Sequence, residues 1–119
     1  MTTIRQSLDD LLTCEGAMCC ALVDSESGMM LGSAGTGVDL EAAAAGNTEV
    51  VRAKRKTMKS LGLNDSIDDI LITLGKQYHL IRPTAHQEGV FLYFVLDKTR
   101  SNLALARRKM ADVDKSMTF

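Results

Sequence analysis

The sequence predicts an α/β domain of the α+β type. It expects a five-stranded antiparallel sheet with one long helix on one face and two terminal helices on the other, in the order α-β-β-α-β-β-β-α. Three observations carry this. Asp39 to Leu61 (DLEAAAAGNTEVVRAKRKTMKSL) is the longest uninterrupted helical pattern in the chain. Ala17–Val23 (AMCCALV) and Val90–Leu96 (VFLYFVL) are apolar without alternation, as strands buried on both faces are. Turn chemistry separates the other segments, as at Asp24-Ser25-Glu26-Ser27-Gly28 and Asn64-Asp65-Ser66.

Taken in order, Thr3–Thr13 carries Ile4, Leu8, Leu11 and Leu12 on one helical face, and Gly16 ends it as a C-cap or turn residue. Ala17–Val23 and Met29–Ser33 then form a β-hairpin. In the long helix, a step of about 100° per residue puts Leu40, Ala43, Ala44, Val50, Val51, Met58 and Leu61 on the core side. Ala42, Gly46, Ala53 and Ser60 line a second face, interrupted only by Glu49, and side chains this small let another backbone come close. Asn47 and Lys54 break the apolar stripe: Asn47 needs a partner if buried, whereas Lys54 can snorkel. Gly62 closes the helix. Ile67–Leu74 (IDDILITL) is the third strand, Gly75-Lys76 a two-residue turn, and Gln77–Arg82 the fourth strand, closed by the only proline, Pro83. Thr84–Gly89 is a polar loop. Thr99 or Ser101 can cap a last helix with Leu103, Ala106, Met110 and Val113 inward, and the tail beyond Asp114 is expected to fray.

The stretch Gly32-Ser33-Ala34-Gly35-Thr36-Gly37 lies where a phosphate-binding loop could sit. It lacks the Lys-Ser/Thr of a P-loop, and a dinucleotide fingerprint started at Gly35 meets Leu40 where it needs glycine. Asp39, the expected N-cap, also places a carboxylate where a phosphate should go. The stretch reads as a flexible connector. His79 reads as a satisfied structural histidine, mid-strand. The late cations of the long helix, Arg52, Lys54, Arg55, Lys56 and Lys59, complement its dipole against the early acids Asp39, Glu41 and Glu49. They form either a solvated face or a docking surface for an acidic partner.

Composition narrows the functional classes. The chain of 119 residues fits one domain spanning 1–119, with an ordered core over about 3–113. A net charge of −1 makes no case for nucleic acid or an acidic membrane, and aromatic side chains are too few for a base-stacking surface. No apolar stretch approaches the roughly 20 residues needed to span a bilayer. The polar N-terminus shows no signal peptide, so a cytoplasmic location is the default. Cys14, Cys19 and Cys20 read as small buried hydrophobes, and His79 and His86 are too distant in sequence to complete a metal site with them. Neither a cofactor nor a metal is expected, and no catalytic constellation stands at a recognisable spacing.

The two non-alternating strands belong in the middle of the sheet, which leaves the third strand at an edge, apolar on both faces and without proline. Such an edge invites another chain. With the small-residue face, it points to a homodimer joined edge to edge, the long helices packing across a two-fold axis.

Several phrases carry a family likeness: Glu15-Gly16-Ala17 after the first helix, ALVDSESGMML (Ala21–Leu31), DLEAAAAGNTEVVRAK (Asp39–Lys54), DDILITLGKQYHLIRP (Asp68–Pro83) and FVLDKTRSNLALARRK (Phe94–Lys109). In these and in element order the chain resembles the Roadblock family, the dynein light chain and MglB-type regulators, over nearly its whole length. The resemblance implies a non-enzymatic homodimer that regulates or scaffolds a small Ras-like GTPase. It puts the dimer surface on the long helix and on Ile67–Leu74: Ala42, Gly46, Glu49, Ala53, Ile67, Asp69, Ile70, Leu71 and Ile72. Arg52, Arg55, Lys56 and Lys59 are the candidate partner-binding cations. The alternative is a small-molecule sensing domain of similar architecture, although no pocket signature stands out.

Overall fold

A computed structural model of the chain describes residues 2–85 and 87–118. His86, weighed above as a metal ligand, lies outside them. The elements are α1 (Ile4–Leu11), β1 (Ala17–Asp24), β2 (Met29–Gly35), α2 (Leu40–Ser60), β3 (Ile70–Thr73), β4 (Gln77–Pro83), β5 (Val90–Asp97) and α3 (Leu103–Ser116). The strands form one antiparallel sheet in the order β2-β1-β5-β4-β3.

The non-alternating strands are central, as their composition requires. β5 lies between β1 and β4, and its side chains divide between two cores. Cys20, Leu22, Leu92, Phe94 and Leu96 pack beneath α1 and α3, while Cys19, Ala21, Val23, Phe91, Tyr93 and Val95 pack on the α2 side. Cys19 and Cys20 therefore point to opposite faces, as adjacent strand residues must. Both are buried and Cys14 is half-buried; all three are free thiols. Burial pushes each of them up, Cys20 to about 12, so none is poised as a thiolate.

The observed ends differ from the expected ones for local reasons. α1 begins with a capping box between Thr3 and Gln6 and stops at Leu11, short of Thr13. β2 runs to Gly35, two residues past the expected Ser33, so Ala34 and Gly35 of the expected connector are strand, paired to β1. Its glycines explain why. A Cβ on Gly32 would stand 2.8 Å from Ile4 Cγ2, so the bare backbone lets α1 lie on the strand. Gly35 has φ +80°, and a Cβ there would stand 2.3 Å from the Met18 carbonyl oxygen. The register shifts between Leu22 and Val23, leaving Leu31 as an extra residue, a β-bulge on this edge.

β3 begins at Ile70 rather than Ile67, and the Leu74 amide closes the Gly75-Lys76 turn onto the Gln77 carbonyl at 2.9 Å. The cap of α3 is Asn102, whose side chain accepts from the Leu105 amide at 3.1 Å; neither Thr99 nor Ser101 serves. The tail does not fray at Asp114. α3 continues to Ser116, Met117 is buried, and Thr2 bridges to it. Asp114 itself is 1% exposed, holding Arg82 Nε at 3.1 Å and the Ala85 amide at 3.2 Å. A buried carboxylate so engaged ties the end of β4 to α3.

Gly35→Ala should cost about 2 kcal/mol of stability in urea unfolding, because the new methyl group meets backbone and the positive φ is strained for alanine. Asp114→Ala should cost about 3 kcal/mol in the same measurement, since it leaves Arg82 half-buried without its carboxylate.

Candidate interaction surface

α2 starts where Asp39 caps it, accepting from the Ala42 amide at 3.2 Å. It packs over β1 and β2, and its last turns reach toward β4 and the approach to β3. The side it buries is Ala44, Thr48 and Val51. Thr48 can be buried because its hydroxyl donates to the Ala44 carbonyl at 2.7 Å. Two residues expected in the core are outside it: Val50 is 37% and Leu61 66% exposed. The correction has a physical cause. The buried side centres on Ala44, Thr48 and Val51; Val50 lies about 100° round the helix from Val51, and Leu61 is the C-cap, past the last helical residue.

Ala42, Gly46, Glu49 and Ala53 are all exposed, on the side of α2 facing away from Ala44, Thr48 and Val51. Among the described residues, beyond its chain neighbours and the helix's own backbone, nothing lies within 4 Å of where a Cβ on Gly46 would sit. Val50, Leu61 and Leu63, the last 52% exposed, extend this face with larger apolar groups.

Among the described residues, β3 has β4 on one side and no strand on the other. Ile70 and Ile72 pack on the α2-side core and Leu71 on the opposite one; all three are half-buried. Asp69 is engaged within the chain. Its carboxylate accepts two bonds of 2.9 Å from the Arg107 guanidinium, the fork geometry that makes such pairs strong. Ile67 precedes the strand and lines a cleft of about 400 Å³ with Arg55, Met58, Arg82 and Pro83.

The four partner-binding cations are split among different environments. Arg52 pairs with Glu49 at 3.3 Å and donates to the Glu26 carbonyl in the β1–β2 turn. Arg55 borders the cleft, and Lys56 and Lys59 are exposed. Among the described residues, no group of three or more His, Cys, Asp or Glu is placed to hold a metal ion. No helix among them is long and apolar enough to cross a membrane.

Asn47 is half-buried and acts on the Tyr93 hydroxyl, which lies 2.9 Å from His79 Nδ1, while His79 Nε2 lies 2.8 Å from Gln77 Oε1. Both ring nitrogens of His79 are thus satisfied, as a structural histidine requires. Burial lowers the His79 pKa and raises that of Tyr93, where Asn47 opposes the shift. Asn47, one of two polar breaks in the apolar stripe of α2, and mid-strand His79 were the sequence signals here. Tyr93 and Gln77 gave none.

Neither a family model nor a curated protein matches the sequence. Solved structures do. The Roadblock/LC7 domain from Streptomyces avermitilis aligns with a TM-score of 0.82 over 97% of this chain and 94% of that one, at 14% identity. The fold is that of the Roadblock/LC7 domains. Myxococcus xanthus MglB aligns at TM-score 0.80 and 21% identity, over 92% of this chain and 87% of its own. An MglB with a tetrameric arrangement aligns at TM-score 0.71 and 20% identity, over 93% and 87%. At these identities it is the Roadblock-like arrangement of strands and helices that is shared.

Tyr93→Phe should cost about 1 kcal/mol in chemical denaturation, because it removes the hydroxyl that lies 2.9 Å from His79 Nδ1. Far-ultraviolet circular dichroism should be unchanged.

Proposed function

We propose that the chain is a non-enzymatic, cytoplasmic interaction module that works as a homodimer and regulates or scaffolds a small Ras-like GTPase. One observation carries the dimer: β3 is an unpaired edge with Ile70, Leu71 and Ile72 only half-buried. A second copy joined there would complete its backbone hydrogen bonds and cover those side chains. The small residues Ala42, Gly46 and Ala53 permit close approach of a second α2, with Glu49 among them. Ile67 and Asp69 flank the joined edge, Asp69 held in place by Arg107. A neighbour of the same fold has a tetrameric arrangement, which supports self-association as a property of this architecture.

The GTPase part rests on the resemblance to MglB-type regulators. The cations Arg52, Arg55, Lys56 and Lys59 are the surface assigned to that partner. Such a module would order the partner's switch segments rather than supply a catalytic group.

Light scattering should give twice the chain mass for wild type and the monomer mass for Ile70→Lys. Gly46→Leu separates interface from folding, because the site is open within one chain and glycine is a poor helix former. It should keep or raise the melting temperature while weakening the dimer. A wild-type monomer would shift the reading to the small-molecule sensing domain. With a cognate GTPase, Arg52→Ala/Arg55→Ala/Lys56→Ala should abolish any effect on hydrolysis; an effect that survives would exclude this surface.

A further inference from the structure

The turn after β3 determines which backbone groups that strand leaves unpaired. The Leu74 amide donates to the Gln77 carbonyl at 2.9 Å, so Leu74 faces β4. In an antiparallel ladder the bonded side alternates, so Ile72 and Ile70 face β4 as well. The Lys98 amide donates to the Lys76 carbonyl at 3.0 Å, which sets the same alternation between β4 and β5. The N–H and C=O of Leu71 and Thr73 therefore point to the edge that carries no strand among the described residues. Side chains alternate in the other sense. Leu71 packs on the α1–α3 core and Thr73 shares its face, while Ile70 and Ile72 pack on the α2-side core and Leu74 shares theirs.

An antiparallel copy added at this edge is related to the first by a two-fold axis normal to the sheet, which keeps the two α2 faces together. Opposed residues then point to the same face, so the axis passes through a residue and not between two. We propose that it passes through Ile72: Ile72 opposes Ile72 of the second copy, Leu71 opposes Thr73, Ile70 opposes Leu74, and Asp68 comes beside Lys76 of the β3–β4 turn. This register rests on the homodimer reading and specifies which residues meet in it.

Backbone, apolar and charged groups all select this register. With the axis on Ile72, every outward N–H and C=O of Leu71 and Thr73 finds a partner on β3 of the other copy. An axis through Leu71 would pair Thr73 with Asp69, and one through Thr73 would pair Leu71 with Gly75, both outside the strand. Leu74 is 43% exposed in the single chain, and opposite Ile70 it joins an apolar row across the axis. The axis through Leu71 would instead set Leu74 against Asp68, and the axis through Thr73 would set Ile70 against Lys76. Asp68 and Lys76 are exposed, and neither has an ion pair among the described residues. Asp68 borders the cleft that Arg55 and Arg82 also line, but Arg82 gives its ion pair to Asp114. Asp69 is held by Arg107 and takes no part. Two rim pairs of opposite charge add little affinity, yet they penalise a slipped register by leaving like or unmatched groups together.

A charge exchange tests it on the whole chain. Asp68→Lys sets lysine against lysine across the axis, and Lys76→Glu sets acid against acid. Mixed together, the two variants restore an opposite-charge pair at both sites. Both positions are exposed, so each variant should keep the wild-type circular dichroism. Each alone should dissociate about tenfold more readily than wild type, whereas an equal mixture should form the heterodimer with wild-type affinity, read by native mass spectrometry. Cross-linking gives a second reading. Ile72→Cys should form a disulfide-linked dimer under mild oxidation, because opposed residues without mutual backbone bonds stand about 4.5 Å apart at Cα. Leu71→Cys should not, since its counterpart lies two residues off register, and wild type with its own three thiols is the control. A wild-type monomer by light scattering would overturn the homodimer reading and the register with it. A wild-type dimer whose variants mix only to the statistical share, or one that cross-links through Leu71→Cys in place of Ile72→Cys, would overturn the register alone.

Discussion

The structure depends on the double-sided burial of β5. Its residues Val90 to Leu96 are all buried, and they supply side chains alternately to two cores. A strand of this kind needs a paired neighbour on each side and cover above and below, because its backbone and both rows of side chains must leave water together. β1 and β4 provide the neighbours. α2 covers one face of the sheet and α1 with α3 the other. The order of elements along the chain is one short-loop solution to that requirement, and the two outer strands inherit what remains.

The two covers are unlike. On the α1–α3 side the helices are tied down by charge as well as packing: Lys109 meets Asp10 at 2.9 Å, Arg107 grips Asp69, and Arg82 reaches buried Asp114. On the other side α2 rests on a small contact of Ala44, Thr48 and Val51, with Asn47 half-buried beside it. The first layer binds the sheet to itself. The second leaves most of a long helix available, and it is there that exposed apolar and basic residues gather.

Most of the architecture was legible because the strongest signals are local. A seven-residue apolar run such as AMCCALV cannot alternate, and DLEAAAAGNTEVV carries a cap and a helical stripe, so both could be assigned from neighbouring residues alone. The misjudged features depend on tertiary geometry. Val50 and Leu61 fit the stripe on a wheel, but the wheel does not contain the angle at which α2 crosses the sheet. Ala34 and Gly35 read as part of a connector, yet the positive φ of Gly35 and its close approach to the Met18 backbone let the strand run on through them. Asp114 looked like the start of a loose end, because the Arg82 that retains it is thirty-two residues away. The candidate surface was legible as composition, a small-residue stripe and an apolar edge, whereas the division of its cations among Glu26, Glu49 and the cleft was not.

The two edges of the sheet are also unequal. β3 is short and regular, while β2 carries the Leu31 bulge and glycines on its outer run. A bulge offsets the backbone groups that a newcomer would have to match, so β2 is a poor template. A chain with two matching edges could add copies without limit and grow into a fibre. In the proposed dimer a copy joined at β3 would consume the one regular edge of each molecule and turn two bulged edges outward. Growth by strand addition would then stop at two, the sheet carrying its own terminator.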